Sequence, residues 1–180
     1  MLLAAPILVF LALVPVLGGR LGALTELRFR RPGLLWGALA LQLFLFMPGG
    51  PAWPAAHLLS YALAGAFAWS NRRIPCLWVL CFGGVLNLVA ITANGGTMPA
   101  RPAAEAAAGL TATGPANSSV LAHPHLAFLG DVFAIPASWP LHNVFSVGDV
   151  VLVVGACLLV HRVTGCRVPR VQPMMRASRR

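Results

Sequence analysis

The amino-acid sequence predicts an all-α fold: an integral membrane bundle of five transmembrane helices, with a long extracytoplasmic loop holding a short helix and a re-entrant or interfacial segment. Three observations carry this expectation. Hydrophobic residues make up 58% of the 180-residue chain and charged residues only 9%, too little polar surface to enclose a soluble core. Uncharged stretches of membrane-spanning length alternate with short polar ones. All thirteen basic residues are arginines, and all except Arg101 fall on one side of the threading that those stretches define.

Residues 1–19 are uncharged and mostly Leu, Ala and Val, and a helix of that length reaches about 28 Å, close to the roughly 30 Å of a bilayer's hydrocarbon, so a crossing is expected at about 2–19. Arg20 follows this stretch, whereas a signal peptide carries its positive charge ahead of the apolar run. The segment therefore reads as a retained first crossing with its N-terminus outside, bent or frayed near Pro6 and Pro15. Between Arg20 and Pro32, the arginines 20, 28, 30 and 31 and Glu26 surround Leu21, Leu24 and Leu27. That pattern suits an interfacial turn on the cytoplasmic surface, where anionic lipid headgroups are the expected partners.

No formal charge occurs from Gly33 to Asn71, and Pro48-Gly49-Gly50-Pro51 with Pro54 breaks the stretch in the middle. A helical hairpin is expected, crossing at about 34–48 and 54–70, and Arg72-Arg73 returns the chain to the cytoplasm. Trp36, Trp53 and Trp69 stand near segment ends, as interfacial anchors do. The fourth crossing covers about 74–94. Its Gly83 or Gly84, Asn87, Ala90 or Ile91, and Asn94 recur every three to four residues and make one face small and polar. The third helix offers a face to match it in His57, Tyr61, Ala64 or Gly65, and Ala68.

The outer loop spans 95–145. Pro102 to Gly109 has the form of a short helix, proline first and glycine last. Residues 111–119 read as irregular, and 126–136 turn apolar again, as a re-entrant or interfacial piece would. The fifth crossing covers about 146–165, with His161 and Arg162 reaching for the inner surface. Residues 1–165 thus form a single transmembrane domain, and 166–180 form a basic cytoplasmic tail expected to be disordered. A plasma-membrane location with the C-terminus inside follows from the arginine distribution.

The same distribution argues against nucleic acid as a partner, because the basic residues sit between apolar segments instead of forming a patch. Cys76, Cys81, Cys157 and Cys166 lie in or beside apolar segments, which speaks against a disulfide framework or a zinc site. His123, His125 and His142 with Asp131 are the one grouping of metal-ligand types, at spacings that match no metal motif, so no metal or cofactor is expected. No nucleophile elbow, phosphate-binding loop or dinucleotide fingerprint is present.

Candidate ligand-binding residues gather at two helix ends on the outer side: Asn87, Asn94, Gly95 and Gly96 at the end of the fourth crossing, Asp131 in the loop, and Ser146 and Asp149 at the start of the fifth. Asp149 is the only carboxylate in a predicted crossing, and such groups usually face a partner or cavity. Ser146-Val147-Gly148-Asp149 also has the form of a capping box, which would explain the acid without a ligand. Asn94-Gly95-Gly96 fits a helix stop, and with Thr97-Met98-Pro99 it also fits a close approach to a neighbour or ligand. Asn87 reads first as an interhelical hydrogen-bonding residue.

With those residues in hand, the chain resembles a family of small bacterial multi-pass membrane proteins of unknown function. The resemblance rests on Asn87 through Asn94-Gly95-Gly96 to Met98-Pro99, on Phe128-Leu129-Gly130-Asp131 and on Phe145-Ser146-Val147-Gly148-Asp149. His57 to Tyr61 and Asn71-Arg72-Arg73 support it, and it runs from Gly19 to His161. It implies the architecture and carries no activity. The function expected is that of a small, non-enzymatic binding, transport or accessory component with a polar site on the outer side. The alternatives are a membrane enzyme acting on an envelope lipid, with Asp131 or Asp149 as acid or base, and a structural subunit with a membrane protein partner. A helix N-terminus facing a cavity favours an anionic ligand, which an ionised Asp149 would oppose.

Overall fold

The computed structural model describes residues 4–45, 54–110 and 118–166. The hairpin tip at Pro48-Gly49-Gly50-Pro51, most of the irregular stretch after residue 110 and the basic tail lie outside the described residues. The chain is mostly helical: α1 (Ala4–Leu13), α2 (Pro32–Leu45), α3 (Pro54–Ser70), α4 (Leu77–Ala93), α5 (Pro102–Ala108) and α6 (Val147–Thr164). Proline opens α2, α3 and α5, where its fixed φ suits the first turn and its missing N–H costs nothing. Glycine closes α5 at Gly109 and α6 at Gly165, both at positive φ.

By length and composition, one helix among the described residues, α6, is able to cross a membrane, and α1, α2 and α4 are shorter apolar helices. Five crossings are therefore an expectation that goes further than the described helices do. The first is the clearest departure. Pro15 lacks the amide hydrogen that a continuing helix needs, so α1 stops at Leu13 and the chain turns towards Gly18 at φ +69°. Ten residues of helix reach only about 15 Å.

Two helix pairs build the bundle, α4 with α6 and α2 with α3. The small, polar face of α4 meets α6, and not α3 as the residue pattern suggests. A Cβ on Gly83 would stand 2.8 Å from the carbonyl oxygen of Gly148 and from the amide of Leu152, and one on Gly155 would stand 2.9 Å from the amide of Leu80. Gly148 and Gly155, two turns apart, give α6 the flat stripe on which α4 rests. Gly65 of α3, expected on the α4-facing side, has nothing within 4 Å of its Cβ position. Instead α3 joins α2, where Gln42 Nε2 donates to the buried Ser60 hydroxyl at 2.7 Å.

At one end of the bundle, the Arg20 N–H donates to the Thr164 carbonyl at 2.9 Å, tying the end of α6 to the chain after α1. There too the Asn71 side chain, just past α3, clamps the Arg30 backbone, accepting from its N–H at 2.7 Å and donating to its carbonyl at 2.9 Å. At the other end, the loop is not all helical. Strand β1 (Met98–Pro99) pairs in parallel with β2 (Ser118–Ser119), and β3 (Asp131–Ile135) pairs antiparallel with β4 (Asn143–Ser146). The apolar stretch 126–136, expected to be re-entrant or interfacial, forms a 3-10 turn at Ala127–Leu129 followed by a strand that pairs with β4. Helix α5 lies on this hairpin through Ala104, Ala108 and Val144.

Candidate functional site

The α4 and α6 helices bring Asn87, Ser146 and Asp149 into one closed ring of hydrogen bonds. Ser146 precedes α6 in an extended conformation, so its hydroxyl oxygen accepts from the Asp149 N–H at 3.0 Å. Asp149 Oδ2 in turn accepts from the Ser146 N–H at 3.0 Å, which completes the capping box. Asn87 then bridges from α4: its Nδ2 donates to Asp149 Oδ1 at 2.9 Å, and its Oδ1 accepts from the Ser146 hydroxyl at 2.9 Å. Gly148 makes this approach possible, since any Cβ there would collide with Asn87 Oδ1.

Ser146 is fully buried, so it positions and does not face a ligand. Asp131, also buried, pairs with Ser146 across the β3–β4 hairpin, and its carbonyl accepts from the Arg101 N–H at 3.0 Å. Asn94, Gly95 and Gly96 stand apart from the ring, at the end of α4. Gly96 N–H returns to the Ile91 carbonyl and Gly95 N–H to that of Thr92, the pattern of a Schellman stop, with φ +98° and +67° at the two glycines. Gly95 has open space where a Cβ would stand, so glycine serves the turn there and not a close approach. Asn94 holds the loop to its own helix: Oδ1 accepts from the His125 N–H, and Nδ2 donates to the carbonyls of His125 and of Ala90 in α4, each at 2.8 Å. His123, His125 and His142 converge on no common point with other metal-ligand types among the described residues.

Two features escape a residue-by-residue reading. The first is the pair of amide clamps, Asn71 and Asn94, each just past the end of a helix and each gripping a remote backbone residue at both N–H and C=O. Both asparagines mark the ends of apolar segments, which is the one signal available in advance. The second is a cavity of about 300 Å³ between α1, the β3–β4 hairpin and α6. Pro6 of α1, Ile135, Trp139 and Phe145 of the hairpin, and Val150 and Val154 of α6 line it, and among the described residues Asp149 is the one ionisable residue on its border. Phe145 is held in place by stacking on Phe133, with ring centroids 5.3 Å apart.

The arrangement can do limited chemistry. Each Asp149 oxygen accepts one hydrogen bond from the protein and keeps a lone pair to offer. Arg20 pairs with Glu26 elsewhere, and no ion pair to Asp149 is formed among the described residues.

Fold and site together define a mostly helical chain in which an interhelical asparagine, a helix cap and a capped loop meet at one end of a small-residue helix pair. The chain belongs to the family of unknown function DUF5317, whose family model matches residues 26–161. No curated protein and no solved structure matches it.

Proposed function

We propose that this chain is a multi-pass plasma-membrane protein, crossing five times with its N-terminus outside, and that it is a small non-enzymatic binding, transport or accessory component. The reading rests on inverted burial. The buried hydrophobic positions of α2–α4 are mostly alanines, namely Ala38, Ala56, Ala68 and Ala90, while Trp36, Leu43, Trp69, Trp78 and Phe82 are exposed. Large side chains outward and small ones inward suit helices packed in lipid. Of the described arginines, Arg20, Arg28, Arg30, Arg31, Arg72, Arg73 and Arg162 belong to the end where Arg20 meets Thr164 and Arg30 meets Asn71, whereas Arg101 belongs to the loop end. That separation supports the loop end as the outer one.

Asp149 is the functional centre in this reading, because among the described residues it is the one ionisable residue bordering the apolar cavity and an acid in a membrane-spanning helix is costly unless something uses it. Topology is tested by replacing Cys76, Cys81, Cys157 and Cys166 with serine and adding single cysteines. Ser119→Cys should react with a membrane-impermeant maleimide in intact cells, and Thr25→Cys only after permeabilisation; the reverse pattern overturns the orientation. Native mass spectrometry of gently extracted protein tests binding. A defined extra mass that Asp149→Asn removes is expected, and a bare chain under all conditions overturns the binding role.

A further inference from the structure

The end of the bundle opposite the loop carries charge that the chain leaves unbalanced. Arg28, Arg30, Arg31, Arg72 and Arg73 are all exposed there. The whole sequence has four carboxylate side chains, of which Glu105, Asp131 and Asp149 belong to the loop end and Glu26 pairs with Arg20. Among the described residues, none of the five arginines forms an ion pair. So large an excess at one place favours an anion from outside the protein.

Asn71 gathers these arginines from two distant segments. Its buried side chain grips the Arg30 backbone at both N–H and C=O, 41 residues away, and also donates to the Phe67 carbonyl at 2.8 Å. Phe29 packs on Phe67 with ring centroids 5.7 Å apart, which pins the same segment across the end of α3. Arg31 follows at φ +53°, a left-handed conformation that a residue other than glycine keeps where its surroundings hold it. Arg72 and Arg73 leave directly from the clamp, so the pairs 30–31 and 72–73 share one junction. Guanidinium groups brought together in this way suit the oxygens of a phosphate.

The surface beside the junction says where that phosphate comes from. The Arg72 guanidinium lies over the Trp69 ring at 5.1 Å, and Trp69 meets Trp78 edge-on with centroids 6.4 Å apart. Both indoles are more than half exposed, at 62% and 53%. An exposed indole pair beside cations fits the boundary between headgroups and hydrocarbon, whereas a free anion in water has no apolar part to offer it.

We propose that this junction binds the phosphate headgroup of an anionic phospholipid of the inner leaflet, in a site that Asn71 assembles from Arg30, Arg31, Arg72 and Arg73 and that Trp69 and Trp78 border. The site is separate from Asp149, and it rests on the membrane-protein reading with this end inside.

Resistance of the full chain to alkaline extraction from cell membranes is scored first and reports the membrane reading by itself. The chain is then purified in a neutral detergent and titrated with phosphatidylglycerol or phosphatidylcholine, with bound lipid measured by native mass spectrometry. Phosphatidylglycerol should bind at least about tenfold more tightly than phosphatidylcholine. Arg72→Gln and Arg73→Gln should each weaken it about fivefold, and Arg101→Gln, the same charge change at the loop end, should leave it unchanged. Asn71→Ala changes no charge and should weaken it by a similar factor; the two arginine variants carry the test if Asn71→Ala fails to fold. Equal affinity for the two lipids, or equal losses from Arg72→Gln and Arg101→Gln, overturns the site. A folded Asn71→Ala protein with undiminished binding overturns the assembly by Asn71. Displacement of phosphatidylglycerol by inorganic phosphate at equal concentration overturns the lipid assignment in favour of a free anion. Each of these failures leaves the membrane reading standing.

Discussion

Asn87, Ser146 and Asp149 illustrate how four hydrogen bonds can serve capping and helix pairing at once. Replacing Asp149 by Asn keeps an oxygen for the Ser146 N–H, and a flip of the Asn87 amide lets it accept from the new side-chain NH₂. The expected stability cost is below about 1 kcal/mol, since the amide oxygen still accepts from the Ser146 N–H and Ser146 itself remains the N-cap. Asp149→Leu leaves the Ser146 cap but takes the acceptors away from the Ser146 N–H and from Asn87 Nδ2, and should cost about 2–4 kcal/mol. Thermal unfolding in detergent separates the two, and equal losses would mean that the charge itself holds the fold. Gly148→Ala is a sharper probe, because its methyl has no room beside Asn87 and the Gly83 carbonyl. It should lower stability by about 1–3 kcal/mol, the usual cost of overpacking, and an unchanged melting temperature would contradict the α4–α6 contact described here.

At the scale of elements, the polar connections lie mostly at helix ends. Asn94 is the C-cap of α4 and also the hook that holds the loop at His125. Asn94→Ala should leave the bundle's melting temperature within about 1 kcal/mol of the parent's stability. It should also speed amide hydrogen exchange and limited proteolysis around residues 120–130, because the clamped backbone loses both its partners. If exchange there does not change, the loop is held by its strands alone. Asn71 has the same geometry at the opposite end but joins two helical segments through Arg30, so its loss should instead loosen α2 from α3. The strand at Asp131–Ile135 follows from local chemistry too: β-branched and aromatic side chains favour a pleated partner once Asn143–Ser146 supplies one.

For the whole molecule, the decisive matter is what surrounds it. Val85 is half exposed midway along α4. If that face meets lipid, Val85→Arg should cost about 2.5–3.5 kcal/mol of insertion free energy and sharply lower the membrane-integrated fraction. On a face in water the same change would stay within about 0.5 kcal/mol. Fractionation of cells expressing the variant reads the difference, and normal integration would count against the lipid-facing reading.

The sequence by itself determined much of this. Its apolar stretches and prolines marked the helices, since φ restriction and a missing N–H act locally wherever the chain goes. Ser146 and Asp149 were legible as a capping box for the same reason, their partners being three residues apart. Asn87 was legible as an interhelical residue, although its partner was not. Only the tertiary structure decided that the face bearing Gly83 and Asn87 turns to α6, because small residues recur on α3 and α6 alike and the choice rests on which backbone can come close. It also decided that Asn94 grips His125, 31 residues away, and that Asp149 borders an apolar cavity built from α1, a hairpin and α6. Contacts and enclosed spaces of that kind join segments far apart in the chain, and no local pattern in the sequence encodes their distance.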